Sequence, residues 1–231
     1  MISQGFFVGW EGRLPPGHRP ALIGAVWIAV ALLMLGLATG RGTEGGQIDW
    51  VAGEKTLVGV ATGRPYPLLL LENGHSVLLL GVGKTGVDLP AGMEGRRVEV
   101  RGLGFKRGNL DALEVHGDWR LVGDGVVPAR ERLGRWRISG EICDGKCASG
   151  GMRPGDGIAH RACASLCLIG RQPPVFVSTA PVEGERFMVL GARDGGVLRE
   201  DLLRWVGVRV RLEGLLERRG DVLVFLVDAP R

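Results

Sequence analysis

Between Ala21 and Thr39 the chain runs for 19 residues, ALIGAVWIAVALLMLGLAT, without a single charge. As a helix, a run of that length spans about 29 Å, close to the hydrocarbon thickness of a bilayer. Apolar side chains all around the helix do not suit the one-sided surface helix of a soluble domain. Pro20 opens the run and Arg41 closes it, which predicts a transmembrane helix over residues 20–41. A cleaved signal peptide is the rival, because Ala38-Thr39-Gly40 loosely fits a small-x-small cleavage pattern. The long leader with Trp10 and Glu11, and the length of the apolar run, favour an uncleaved anchor. Arg13, His18 and Arg19 precede the run, whereas Arg41 is followed by Glu44 and Asp49. The positive-inside bias therefore makes residues 1–19 a cytoplasmic leader and sends the remaining ~190 residues to the other side of the bilayer.

Beyond the anchor, glycine dominates the composition. There are 40 glycines in 231 residues, more than twice the usual ~7%. No G-X-Y period accompanies them, and they fall between short apolar runs, as expected for short strands joined by tight turns. Hydrophobic residues make up 45% of the chain, enough to exclude wholesale disorder. The formal charge of +4 is scattered over alternating positions. A nucleic-acid partner is disfavoured, because neither a clustered basic face nor interleaved aromatics for stacking is present. Arginine far exceeds lysine, with only Lys55, Lys84, Lys106 and Lys146, a bias that reads as genome composition.

An internal repeat emerges when residues 95–115, GRRVEVRGLGFKRGNLDALEV, are laid on 207–227, GVRVRLEGLLERRGDVLVFLV. Gly95/Gly207, Arg97/Arg209, Val98/Val210, Gly102/Gly214, Leu103/Leu215, Arg107/Arg219, Gly108/Gly220 and Val115/Val227 coincide. Both copies read as strand, Arg-Gly-Asn/Asp turn, strand, which is a hairpin signal. Upstream of each lies an apolar strand ending in glycine, Ser76–Gly81 and Phe187–Gly191. Further upstream come Leu57–Gly63 and Arg137–Cys143. VLREDLLRWVG, before the second hairpin, suits a helix of two to three turns. Five strands with a helix or turn before the fourth predict an all-β architecture of two tandem OB-like barrels, with paired SH3-like barrels as the alternative. The barrels would cover residues 53–120 and 135–229, joined by the loop VGDGVVPARERLG.

The distinctive segment is an insertion at 143–174 in the second half. It holds all four cysteines, Cys143, Cys147, Cys163 and Cys167, together with His160. GIAHRACASLCLIG reads as a helix, with Asp156 placed to cap its start, Gly170 to end it and Pro173 to prevent its continuation. At 3.6 residues per turn, positions 160, 163 and 167 fall within about 60° of one another. Three chemistries suit this set. Structural disulfides would tie down a glycine-rich insertion in an exported domain. Zinc or another transition metal would take thiolates and an imidazole, although the short C-x2-C knuckle is absent. An exposed cysteine pair with a lowered pKa would serve thiol–disulfide exchange. His18, His75 and His116 read as surface residues. Gly81–Thr85, GVGKT, lacks the earlier glycine and the long helix of a phosphate-binding loop and is set aside.

The stretch GEICDGKC…MRPGDGIAHRACASLCLIG…PPVFV, with the leader FFVGWEG, resembles a family of uncharacterised bacterial single-pass membrane proteins. The shared motif is G-E-I-x-D-x-K-C…H-x-x-C-A-x-x-C. Gly140, Glu141, Asp144, Lys146, Cys147, Pro154, Gly155, His160, Cys163 and Cys167 carry the resemblance. Cys143 departs from it, since an aliphatic residue is usual there. The resemblance therefore favours Cys147, His160, Cys163 and Cys167 as the metal-ligand set, with Cys143 as a possible addition. It implies placement in the bacterial inner membrane but supplies no reaction. No paired-carboxylate or triad signal marks an enzyme. The expectation is a periplasmic accessory or assembly protein of a redox complex, anchored in the bilayer, whose Cys/His site binds metal or docks a membrane or periplasmic protein. Two alternatives are a thiol–disulfide oxidoreductase or cofactor-handling protein using the cysteine pair, and an OB-type ligand-binding module with structural disulfides.

Overall fold

The computed structural model describes residues 18–39, 47–48, 54–198 and 200–228. Two compact units divide the chain, 1–43 and 44–231. In the first, α1 (His18–Thr39) is a continuous helix whose stretch His18–Gly36 is long and apolar enough to cross a membrane. None of that stretch is buried within the protein, and its length and composition suit a membrane span and a signal sequence alike. Of the expected leader, residues 1–17 lie outside the described residues, and His18 and Arg19 begin α1.

The second unit is mostly β. Its strands are β1 (Gln47–Ile48), β2 (Lys55–Thr62), β3 (Leu68–Leu70), β4 (Ser76–Leu80), β5 (Arg96–Arg107), β6 (Leu110–Val115) and β7 (Arg120–Asp124) in the first half. The second half has β8 (Glu131–Asp144), β9 (Pro174–Val182), β10 (Glu185–Ala192), β11 (Arg209–Arg219) and β12 (Val222–Val227). Each half closes a five-stranded barrel. In the first, β2, β3, β4, β6 and β5 follow one another around the ring, with β1 and β7 added on β5. In the second the order is β8, β9, β10, β12, β11. Counted within each half, both rings run first, second, third, fifth, fourth. Both also pair the third strand parallel to the fifth, β4 with β6 and β10 with β12. Between third and fourth strands the first half has a loop, whereas the second has a two-turn 3-10 helix, Glu200–Trp205, where the sequence suggests a helix of two to three turns.

The repeated hairpins are β5–β6 and β11–β12. Arg107 pairs with Leu110 and Arg219 with Val222, leaving two-residue turns. Gly108 and Gly220 take φ of 57° and 61° at the first turn position, the place glycine occupies in type II′ hairpins. A Cβ on Gly102 would lie 1.9 Å from Glu114 O, and one on Gly214 would lie 2.2 Å from Leu226 O. The coincident glycines therefore mark equivalent close backbone approaches. The joining loop is shorter than the sequence suggests. Arg120–Asp124 adds to β5, and β8 begins already at Glu131 because its arginine-rich start pairs with β11.

Strand register explains how the barrels join. Ala61, Leu69, Val77, Leu79, Val98, Leu113 and Val115 face inward and form the first barrel's own core. The alternate residues Leu68, Leu78, Leu80, Phe105 and Ala112 share a single core with the second barrel's interior, including Phe176, Met188, Leu190 and Phe225. β4 is consequently buried on both faces. The hairpin tips reinforce this junction reciprocally. Asn109 Nδ2 donates to Phe187 O at 2.9 Å and its Oδ1 accepts from Phe187 N at 3.1 Å. At the matching turn position Asp221 Oδ1 accepts from Ser76 N at 2.7 Å, and Asp221 Oδ2 lies 2.5 Å from His75 Nδ1. Each tip thus grips the start of the other barrel's third strand.

Candidate metal centre

The insertion leaves the end of β8 and returns at β9. Asp144 is the last residue of β8 and has 0% exposure. Its Oδ1 accepts from Cys147 N at 2.9 Å, starting a π turn over Cys147–Gly151. The other oxygen, Oδ2, lies 3.2 Å from His160 Nε2. A buried carboxylate therefore fixes both the backbone of one sulfur residue and the ring of the histidine. Gly155 closes the loop over Cys147: a Cβ there would stand 2.1 Å from Cys147 O.

The helical reading of the insertion holds in its second half. His160 ends a 3-10 turn, Ile158–His160, and α2 (Arg161–Ile169) follows. Asp156 does not cap this helix; its carboxylate pairs with Arg107 of the first barrel at 3.0 Å. Gly170 ends α2, but the left-handed residue is Arg171, with φ of 72°. Gln172 N donates to Cys167 O and Arg171 N to Leu168 O, which completes a Schellman closure. Gly170 is needed for space instead, since a Cβ there would meet Lys84 O at 2.0 Å.

These elements bring the expected residues into two groups that share Cys147. One ligand atom each from Cys147, His160 and Cys163 lie within 4.8 Å of one another, and so do those of Asp144, Cys147 and Cys167. Cys147 is common to both groups and is hydrogen-bonded to Cys167. Cys147, His160 and Cys167 are 5%, 2% and 1% exposed, whereas Cys163 is only partly buried. All four cysteines are free thiols. Cys143 stands slightly apart: with Asp144 and His160 it forms a third such group, but its Sγ–H donates to Gly155 O at 2.7 Å.

Two lysines and a glutamine complete the surroundings. Lys84 comes from the first barrel, on the loop between β4 and β5. Its Nζ donates to Cys163 Sγ at 2.9 Å and lies 3.5 Å from Cys167 Sγ. Lys146 reaches the opposite way, donating to Gly83 O at 2.8 Å and pairing with Glu114 of the first barrel. Gln172 Nε2 donates to Gly81 O and Thr85 O at 2.8 and 3.0 Å. The loop carrying Lys84 is thus clamped against the insertion. The electrostatics follow from these contacts. The Cys167 thiol is held down to about 7, first by the hydrogen bond from Cys147, with Lys84 assisting against burial. Cys147 is pushed up by that same hydrogen bond, by burial and by Asp144. Burial and then Asp144 push Cys143 well up, leaving it an inert thiol at neutral pH. Lys84 is raised, chiefly by its hydrogen bond to Cys163, and Lys146 is lowered by burial.

Chemically, Cys147, His160 and Cys163 bring two thiols and an imidazole together, with a carboxylate behind the ring, a donor set of the kind zinc takes, while Cys167 groups with Cys147 and Asp144. Lys84 and Asp144 escaped the sequence-based candidate set. Asp144 lay within the quoted motif, and Lys84 in the GVGKT fragment set aside as a poor phosphate loop. The usable signal was the rarity of lysine, because two of the four lysines in the chain stand at this site. On the far side of α2, Leu168 and Ile169 help line an apolar cavity of about 360 Å³ between the barrels, with Pro65, Tyr66, Leu89 and Leu203. No protein-family model, curated protein or solved structure matches the chain.

Proposed function

We propose that this chain is a membrane-anchored, metal-binding accessory or assembly protein of a redox complex in the bacterial inner membrane. In this reading α1 is the anchor, residues 1–19 are cytoplasmic and the two barrels are periplasmic and OB-type. The strand order and the parallel third–fifth pair of each barrel support the OB reading. Cys147, His160, Cys163 and Cys167 hold a zinc ion or a similar thiophilic transition metal. The observation that carries this is the gathering of Cys147, His160 and Cys163 donor atoms within 4.8 Å, with Cys167 on Cys147 and Asp144 on the histidine. Four donors of this kind satisfy a tetrahedral ion, and a carboxylate behind the imidazole is the usual outer support of such a ligand. The metal would stabilise the insertion; the partner protein of the complex would dock on the periplasmic barrels.

The test is native mass spectrometry of the full chain in detergent, purified without chelator. One metal per chain, lost on acidification, supports the proposal. A metal-free chain that stays metal-free after incubation with zinc overturns it. One observation favours a second reading, thiol–disulfide exchange: Cys167 is held down to about 7 beside Cys147. That reading requires rapid alkylation of Cys167 near neutral pH and a mass lower by two hydrogens after mild oxidation.

A further inference from the structure

Three of the four proposed ligands are sealed in and one is not. Cys147, His160 and Cys167 are at most 5% exposed, whereas Cys163 is partly open to solvent. Four protein ligands would fill the coordination of a tetrahedral ion, so an acceptor can gain the ion only by displacing one of them, and Cys163 is the ligand within reach from solvent. The open ligand also has a cation waiting beside it. Lys84 Nζ stands 2.9 Å from Cys163 Sγ and donates as well towards Cys163 O at 3.5 Å. The lysine is held there by the clamps on its loop from Gln172 and Lys146. Val82, two residues before Lys84, and Leu166, three residues after Cys163 on α2, are each more than half exposed.

Resting on the metal-site reading above, we infer that the site is a handover site: it passes its ion to a protein acceptor by ligand exchange at Cys163. An incoming thiolate of the acceptor forms a new metal–sulfur bond as the metal–sulfur bond to Cys163 breaks. The released Cys163 thiolate takes the ammonium of Lys84 as its counter-ion. No electron is transferred, and the metal keeps Cys147, His160 and Cys167 until further acceptor donors replace them. The acceptor is thus a metal-binding protein with at least one accessible thiolate. Lys84 is a positioning residue, acting on the leaving sulfur and not on the ion.

The experiment uses the full chain in detergent micelles loaded with zinc, challenged with excess glutathione as the thiolate acceptor, while zinc release is followed with a chromogenic indicator. Lys84→Met is expected to carry one zinc and to release it about fivefold or more slowly, as expected for loss of a charge-assisted contact at a partly exposed site. In a Cys163→Ser background the Lys84→Met change is expected to have no further effect on the rate, since the group it serves is gone. Limited alkylation of the loaded chain, read by peptide mass, is expected to mark Cys163 ahead of Cys147 and Cys167. Equal release rates for wild type and Lys84→Met, with Cys163 no more reactive than the others, would overturn the handover and leave the metal site standing. Failure of the wild-type chain to bind zinc would remove the metal reading, and the handover with it.

Discussion

Asp144 ties the two halves of the site together. It has no exposure, receives Cys147 N on one oxygen and faces His160 Nε2 with the other. Asp144→Asn keeps an oxygen for Cys147 N but places an amide against the imidazole, which disturbs the ring's tautomer and orientation. Loss of such outer-sphere support typically weakens metal affinity by about 10–100-fold. A zinc competition titration on the folded variant is expected to show a loss of that order, with the stoichiometry unchanged. At this scale the sequence is legible unevenly. The grouping of Cys147, His160 and Cys163 was readable because cysteine is rare and clustered in the insertion, and because 160 and 163 are one helical turn apart. Lys84 was not readable, because its place depends on how the two barrels dock, some 80 residues away along the chain from Cys163 and Cys167. The expected cap at Asp156 failed for a similar reason: Arg107 of the other barrel offers a better partner than a helix end.

Among the elements, β4 contributes to both cores. Its inward residues Val77 and Leu79 fill the first barrel, while Leu78 and Leu80 enter the core shared with the second. Leu78 is fully buried on the side that faces the other barrel, so Leu78→Ala removes packing from the junction. A deletion of this kind costs about 2–5 kcal/mol. Urea unfolding of residues 44–231 is expected to show a loss in that range with a single transition, because side chains of both barrels pack into the shared core. Separate transitions for the two halves would mean that the shared core contributes little. The two hairpins were legible from the repeat because their glycines answer to local demands, a turn at Gly108 and Gly220 and close backbone approach at Gly102 and Gly214. The reciprocal grip of Asn109 and Asp221 was not, since turn chemistry alone accounts for those residues in a hairpin. Likewise, the arginine-rich start of β8 looked like a linker, because it lacks apolar alternation and is held by its neighbour β11.

For the whole molecule, the proposed account requires the barrels to stand outside the cytoplasm on an uncleaved helix. The basic bias ahead of α1 is small, so orientation is a sharp test of it. A C-terminal alkaline phosphatase fusion, active only when exported, is expected to be active and to remain in the membrane fraction at full length. An inactive fusion would place the barrels in the cytoplasm, and an active but soluble, shortened one would make α1 a signal sequence. The central claim concerns the thiol and imidazole donors, and X-ray absorption at the zinc edge of the loaded chain reads them directly. The account predicts one zinc with three sulfur neighbours at about 2.3 Å and one nitrogen at about 2.0 Å. A zinc surrounded only by oxygen and nitrogen, or a chain that retains no zinc, would contradict it.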